Sequence, residues 1–204
     1  MCIRDRDSMP VGTGGMIALI GCERDIIDNA LKSASQDGKI YLANDNADGQ
    51  IVLSGEINAI EYILQNAKSL NIRRAIKLPV SAPFHCELMG HAAQVLQVEI
   101  NKINFNKFNA DLYSNVTSMK CTENGIAQLL IDQVVSVVKW REIMQNMIQD
   151  GYSKFIEIGP GNVLTNLVKR MSKNIHAFSI SKIEDLKKFL VSKEKHYLPS
   201  DISD

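Results

Sequence analysis

Met16–Gly21 (MIALIG) opens the stretch that decides the fold, Met16–Val80, with an apolar run of strand length. In Glu23–Gln36, residues Ile26, Ile27, Ala30, Leu31 and Ala34 recur at the spacing of one helical face. Asp37-Gly38 is a turn signal. Ile40–Asn46 and Gln50–Ser54 read as two strands, joined through Ala47-Asp48-Gly49 as a glycine-containing hairpin. Glu56–Leu70 then sets Ile57, Ile60, Ile63, Leu64 and Ala67 on one helical face. Arg74–Val80 (RAIKLPV) closes the stretch as a strand whose Pro79 suits an edge or a strand end.

The order strand–helix–strand–strand–helix–strand is the ferredoxin-like, split βαβ pattern. The second half differs. Glu87–Asn101, Gly125–Val135, Trp140–Gln149, Asn162–Met171 and Ile183–Val191 have helical spacing. Leu112–Asn115, Lys154–Ile158 (KFIEI) and Ala177–Ile180 are strand-like. Strands separated by helices predict a parallel sheet, but three short ones are few, because such a sheet needs cover on both faces. The second half therefore reads as part of a larger sheet. The expected fold class is α/β with an α+β insert. The expected divisions are a leader (1–9), a small subdomain (10–81), part of a larger one (82–192) and a polar, frayed tail (193–204).

The chain has 204 residues, 45% hydrophobic and 23% charged, enough for a full core. Lys+Arg (23) equals Asp+Glu (23), which argues against a general nucleic-acid binder. No apolar run reaches the roughly 18–20 residues that span a bilayer, and Met1–Pro10 is too charged for a signal peptide. Cys2, Cys22, Cys86 and Cys121 form no CxxC pair, so zinc and thioredoxin-like readings fail on spacing. Four reduced thiols in a cytoplasmic protein are expected.

His85 lies in Val80-Ser81-Ala82-Pro83-Phe84-His85, between a strand and a helix. A loop histidine there can face a cleft and serve as a general base near neutral pH; it can equally cap or pack at the junction. Cys86 is its chain neighbour, which is poor geometry for a Cys–His pair. No GxSxG elbow exists, and Ser54-Gly55 lacks the preceding glycine. A candidate base thus stands without a candidate nucleophile. Gly159-Pro160-Gly161 fails the dinucleotide and P-loop patterns and reads as a tight turn. Asn44-Asp45-Asn46 is explained by turn chemistry. Two basic clusters, Arg73-Arg74 with Lys77 and Lys169-Arg170 with Lys173, suit solvated faces or an acidic partner.

Pro10–Gly21 (PVGTGGMIALIG), Asn44–Gly55 (NDNADGQIVLSG), Leu78–Cys86 (LPVSAPFHC), Gln133–Trp140 (QVVSVVKW) and Glu157–Arg170 (EIGPGNVLTNLVKR) follow one another in a familiar order. With these segments the chain resembles the C-terminal portion of the malonyl-CoA:acyl-carrier-protein transacylases. The resemblance implies a ferredoxin-like small subdomain inserted into an α/β-hydrolase-like large one. It implies malonyl transfer from malonyl-CoA to the phosphopantetheine thiol of acyl-carrier protein in fatty-acid biosynthesis. His85 would be the catalytic base. Gln133 would offer the backbone carbonyl that aims it. Asn44 and Asn46 would line the cleft, and Phe84 would crowd an α-methyl group and so favour malonyl. No metal or organic cofactor is implied; coenzyme A is a moiety of the substrate.

The family's Gly-Gln-Gly-Ser-Gln loop and its Gly-His-Ser-Leu-Gly serine elbow are absent from this sequence. Arg4 and Arg6 lie too close to Pro10 to match the family's carboxylate-binding arginine, and Met1–Asp7 (MCIRDRD) resembles nothing in the family. The resemblance therefore implies a fragment, inactive without an N-terminal half. Two other readings stay open at this point: a non-catalytic module that binds acyl groups or acyl-carrier protein, and a Cys86 hydrolase.

Overall fold

A computed structural model describes Pro10, residues 12–172 and residues 174–197. The chain forms two compact units that divide between Asn146 and Met147.

In the first unit, β1 (Gly14–Ile20), α1 (Arg24–Ala34), β2 (Ile40–Ala47), β3 (Gln50–Glu56), α2 (Ile57–Asn66) and β4 (Arg74–Lys77) follow in the expected order. The strands make one antiparallel sheet in the order β2-β3-β1-β4. Alternation in β1 and β3 sends Ile17, Leu19, Ile51 and Leu53 to one face, where α1 and α2 bring Ile27, Ala30, Ile60 and Ile63. Burying each of the larger side chains contributes about 1.5–3 kcal/mol. On α1, Asp25 in the first turn and Lys32 in the last complement the helix dipole.

Beyond the sheet, a 3-10 turn (Glu87–Met89) leads into α3 (Gly90–Ile100), which replaces the single expected helix over 87–101. α4 (Glu123–Val135) packs on α3 through Ala93, Leu96, Ile100, Ala127, Leu130 and Ile131. The last helix of this unit, α5 (Trp140–Gln149), runs across the division between the units.

Several expectations change. β4 ends at Lys77 rather than Val80. Leu78 N still donates to Met16 O at 2.9 Å, but Pro79 has no N–H with which to continue the ladder. Leu112–Tyr113 (β5) is not a third parallel strand. It pairs antiparallel with Lys120–Cys121 (β6). The cause is local: Ser118 N donates to Ser114 O at 2.8 Å, with Ser118 at φ 58, and the chain doubles back on itself. A partner this near in sequence costs little loop-closure entropy.

The second unit contains β7 (Lys154–Ile158), α6 (Val163–Lys169), β8 (His176–Ile180) and α7 (Ile183–Tyr197). β7 and β8 pair in parallel as a two-stranded sheet. α6 is shorter than expected. α7 is longer, running past Val191 through residues expected to fray, where Lys193, Glu194 and Lys195 are good helix formers. Residues 1–9 and 198–204, with the expected leader and the end of the tail, lie outside the described residues.

Candidate active site

The loop from β4 to the 3-10 turn is held at several points. Pro83 is fully buried against β1, at a spot where only glycine fits: a Cβ on Gly14 would lie 2.6 Å from Pro83 Cδ. Phe84 N donates to Ala82 O at 3.1 Å, and Met89 N donates to Cys86 O at 3.0 Å. The Phe84 ring joins two apolar clusters, one with Met16, Ala43 and Val52 on the sheet, the other with Ala82, Met89 and Ala92. So anchored, the chain carries His85 at φ 61, in the left-handed region. A non-glycine residue held there costs roughly 1–3 kcal/mol and persists where surroundings over-determine it, a pattern that clusters at functional sites.

The His85 ring is half-buried, and its Nδ1 lies 3.0 Å from the backbone oxygen of Gln133. That oxygen is free because Gln133 sits in the last turn of α4, whose final carbonyls lack intrahelical partners. A carbonyl only accepts, so the ring's Nδ1 must bear the hydrogen. In neutral imidazole Nε2 then keeps the lone pair, and the ring can accept a proton there. The Gln133 side chain is held in turn by Asn115, whose Nδ2 lies 3.5 Å from Gln133 Oε1.

Cys86 is no rival nucleophile. It is 2% exposed, its thiol donates to Pro83 O at 3.1 Å, and burial pushes its pKa up. Ser54 is fully buried in β3. Gly159-Pro160-Gly161 forms the turn between β7 and α6, with Gly159 at φ 145 and Gly161 at φ 88. Of the first basic cluster, Lys77 is paired with Glu61. Lys173 lies outside the described residues.

Asn44 and Asn46 lie half-buried on β2. Asn44 forms a parallel bridge with Val138: Val138 N donates to Ala43 O at 2.8 Å, and Asp45 N donates to Val138 O at 2.9 Å. The sheet thus takes up the segment that follows Gln133.

Sequence reasoning passed over the side chains beside this bridge. Arg141 Nε lies 3.0 Å from Asp45 Oδ1, Arg141 Nη2 lies 2.7 Å from Asp45 Oδ2, and Arg141 Nη1 lies 3.0 Å from Asp48 Oδ1. One signal was available: Arg141 stands in the first turn of a helix, where the dipole disfavours a cation unless carboxylates meet it.

No family model matches the chain. It is 35% identical over 182 residues to the malonyl CoA-acyl carrier protein transacylase of Bacillus subtilis (strain 168), covering 88% of this chain and 57% of that protein. The chain is homologous to the C-terminal portion of the malonyl-CoA:acyl-carrier-protein transacylases. It is 36% identical over 178 residues to the transacylase of Escherichia coli (strain K12), with 86% of this chain and 57% of the relative covered. The crystal structure of the transacylase from Clostridium perfringens superposes with a TM-score of 0.88 at 37% identity, over 95% of this chain and 61% of that one. A malonyl-transacylase solved in complex with its type II PKS acyl-carrier protein gives 0.87 at 32% identity, over 93% and 62%. The chain thus spans less than two thirds of the length of these relatives.

Proposed function

We propose that this chain contributes the base of an acyl-transfer site, in an enzyme that moves malonyl from malonyl-CoA to the phosphopantetheine thiol of acyl-carrier protein in fatty-acid biosynthesis. The observation that carries this reading is the His85 Nδ1 to Gln133 O contact of 3.0 Å. His85 Nε2 takes the proton of a serine as that oxygen attacks the malonyl thioester carbonyl. The thioester bond breaks, and coenzyme A leaves as a thiol with the proton from the imidazolium. In the second half-reaction the ring deprotonates the carrier's thiol, which attacks the malonyl ester and restores the serine hydroxyl. Gln133 aims the ring, Asn44 and Asn46 line the cleft, and Phe84 narrows the acyl pocket. No metal or organic cofactor enters these steps, because the proton and acyl group balance without one.

In this reading residues 10–81 are a ferredoxin-like subdomain and residues 82–192 are part of an α/β-hydrolase-like one, flanked by a leader and a tail. The serine, the oxyanion donors and the carboxylate clamp come from polypeptide outside this chain. The partners are malonyl-CoA, acyl-carrier protein and that other polypeptide, in the cytoplasm, with neither nucleic acid nor membrane. The charge balance argues against a general nucleic-acid partner, and among the described residues no helix is long and apolar enough to cross a membrane.

Labelled malonyl-CoA and acyl-carrier protein test the reading. The chain alone should form no malonyl ester and transfer nothing. Combined with a polypeptide bearing the serine elbow of a relative, it should transfer, and His85→Gln should cut the rate about 10²–10⁴-fold. A malonyl-serine on this chain alone, or an active His85→Gln combination, would overturn it.

A further inference from the structure

We infer that Arg141 and Asp45 are positioning residues for His85, acting by preventing α4 from gaining another turn. The inference rests on the reading of His85 as the base. Gln133 O is turned to His85 while the N–H of residue 137, its helical partner four positions on, stays outside the helix; taken into the helix, that N–H would compete for the oxygen and draw it along the helix axis, away from the ring. α4 stops at Val135, and Ser136 is already extended, at φ −108 and ψ 153. No proline or glycine occurs between Gln133 and Trp140 to enforce that stop. The stop comes from β2, which holds Val138 through its backbone bonds with Ala43 and Asp45.

Asp45 is therefore engaged twice. Its N–H holds Val138, and its carboxylate accepts hydrogen bonds from Nε and Nη2 of the Arg141 guanidinium. The Asp45 side chain is only 19% exposed, and the planar fork of arginine suits such a two-point grip. Asp48, 91% exposed, adds one outer contact. Arg141 lies three residues past Val138, so the clamp and the bridge fasten the same short connection to the same strand. Without the clamp, Val138 can leave β2, Val137 N can take Gln133 O, and His85 Nδ1 loses its acceptor.

Nitrogen-15 NMR of the imidazoles in this chain, with His85 assigned by His85→Gln, reads the effect directly. In the unmodified chain the Nδ1–H tautomer should dominate at His85. In Arg141→Met the Nε2–H form should take over, and the Val137 amide should exchange about tenfold more slowly, as an added helical hydrogen bond implies. Asp45→Asn should act in the same direction, and the exchanged pair Asp45→Arg with Arg141→Asp should bring the Nδ1–H form back. A folded Arg141→Met chain with an unchanged His85 tautomer would overturn the clamp and leave the base reading intact. If Arg141→Met does not fold, Arg141→Lys decides, since it keeps the charge and loses the fork: a shifted tautomer supports the clamp, an unshifted one refutes it. If neither variant folds, the proposal fails, because the pair then upholds the unit rather than the ring's aim. Absence of the Nδ1–H tautomer in the unmodified chain would instead sink the base reading itself.

Discussion

The four-stranded antiparallel sheet and the two-stranded parallel sheet differ in how far each completes its own burial. In the first, Ile17, Leu19, Leu53, Ile60 and Ile63 are all 0% exposed, covered by helices from the same stretch of chain. In the second, Ile158 is 83% exposed, Val163 65% and Ile183 67%, and among the residues whose burial is described only Thr165, Leu167, Val168 and Ala177 are buried. α7 covers part of β8 through the edge-to-face contact of Phe189 with Phe178, ring centroids 5.9 Å apart. The contrast follows from topology. Antiparallel strands joined by hairpins close a sheet with local chain, whereas parallel strands need crossovers and neighbours from elsewhere.

Cutting into each core separates the two sheets most clearly. Leu53→Ala should destabilise the first unit by about 2–5 kcal/mol, seen as a drop in its denaturation midpoint. Ile158→Ser should leave stability within about 0.5 kcal/mol, as for surface changes, while reducing binding of an apolar dye. Equal losses from the two would erase the distinction.

Hydrogen exchange sharpens it. Amides of β1 and β3 should exchange only by near-global opening, and those of β7 and β8 by smaller openings. Under the proposed function, polypeptide from the unmatched part of a relative should slow exchange in β7–β8 and leave β1 and β3 unchanged. No change in β7–β8 would count against the larger sheet.

A smaller effect concerns His85. His85→Asn removes the base and places in the left-handed region a residue that tolerates it better. The variant should be as stable as the parent chain or more so, by up to about 1 kcal/mol, while any transfer activity is lost. A marked loss of stability would mean that the ring's contacts support the first unit.

The smallest concerns acid. Burial raises the Glu157 carboxyl, but hydrogen bonds from Thr165 and Leu164 at the start of α6 outweigh it, and the pKa is lowered overall. A folded value below the unfolded one stabilises above the ordinary glutamate range and is lost as pH falls through the lowered folded pKa. Glu157→Gln should therefore flatten the acid limb of unfolding in the second unit. An acid limb unchanged by the substitution would assign it to other carboxylates.

Much of the first unit was legible because its signals are local. Ile57, Ile60 and Ile63 recur at helical spacing, and Asp48-Gly49 marks a two-residue connection between β2 and β3. The pairing of β5 was misread because Leu112 and Tyr113 look the same whether their partners are near, as Cys121 and Lys120 are, or far along the chain. At the site, the PVSAPFH segment marked His85, yet its strain at φ 61 and its partner 48 residues away were invisible to spacing. Arg141 and Asp45, 96 residues apart, left only the faint sign of a cation at a helix start.

Periodicity and turn residues by themselves determined which stretches become strands and helices in the antiparallel unit, because those choices depend on neighbours a few positions away. The resemblance named the carbonyl of Gln133 for His85, but the end of α4 and the meeting of Arg141 with Asp45 emerged from the packed fold alone. Both depend on β2 arriving from far along the chain to hold Val138, and contacts at that separation leave no periodic trace in the residues that make them.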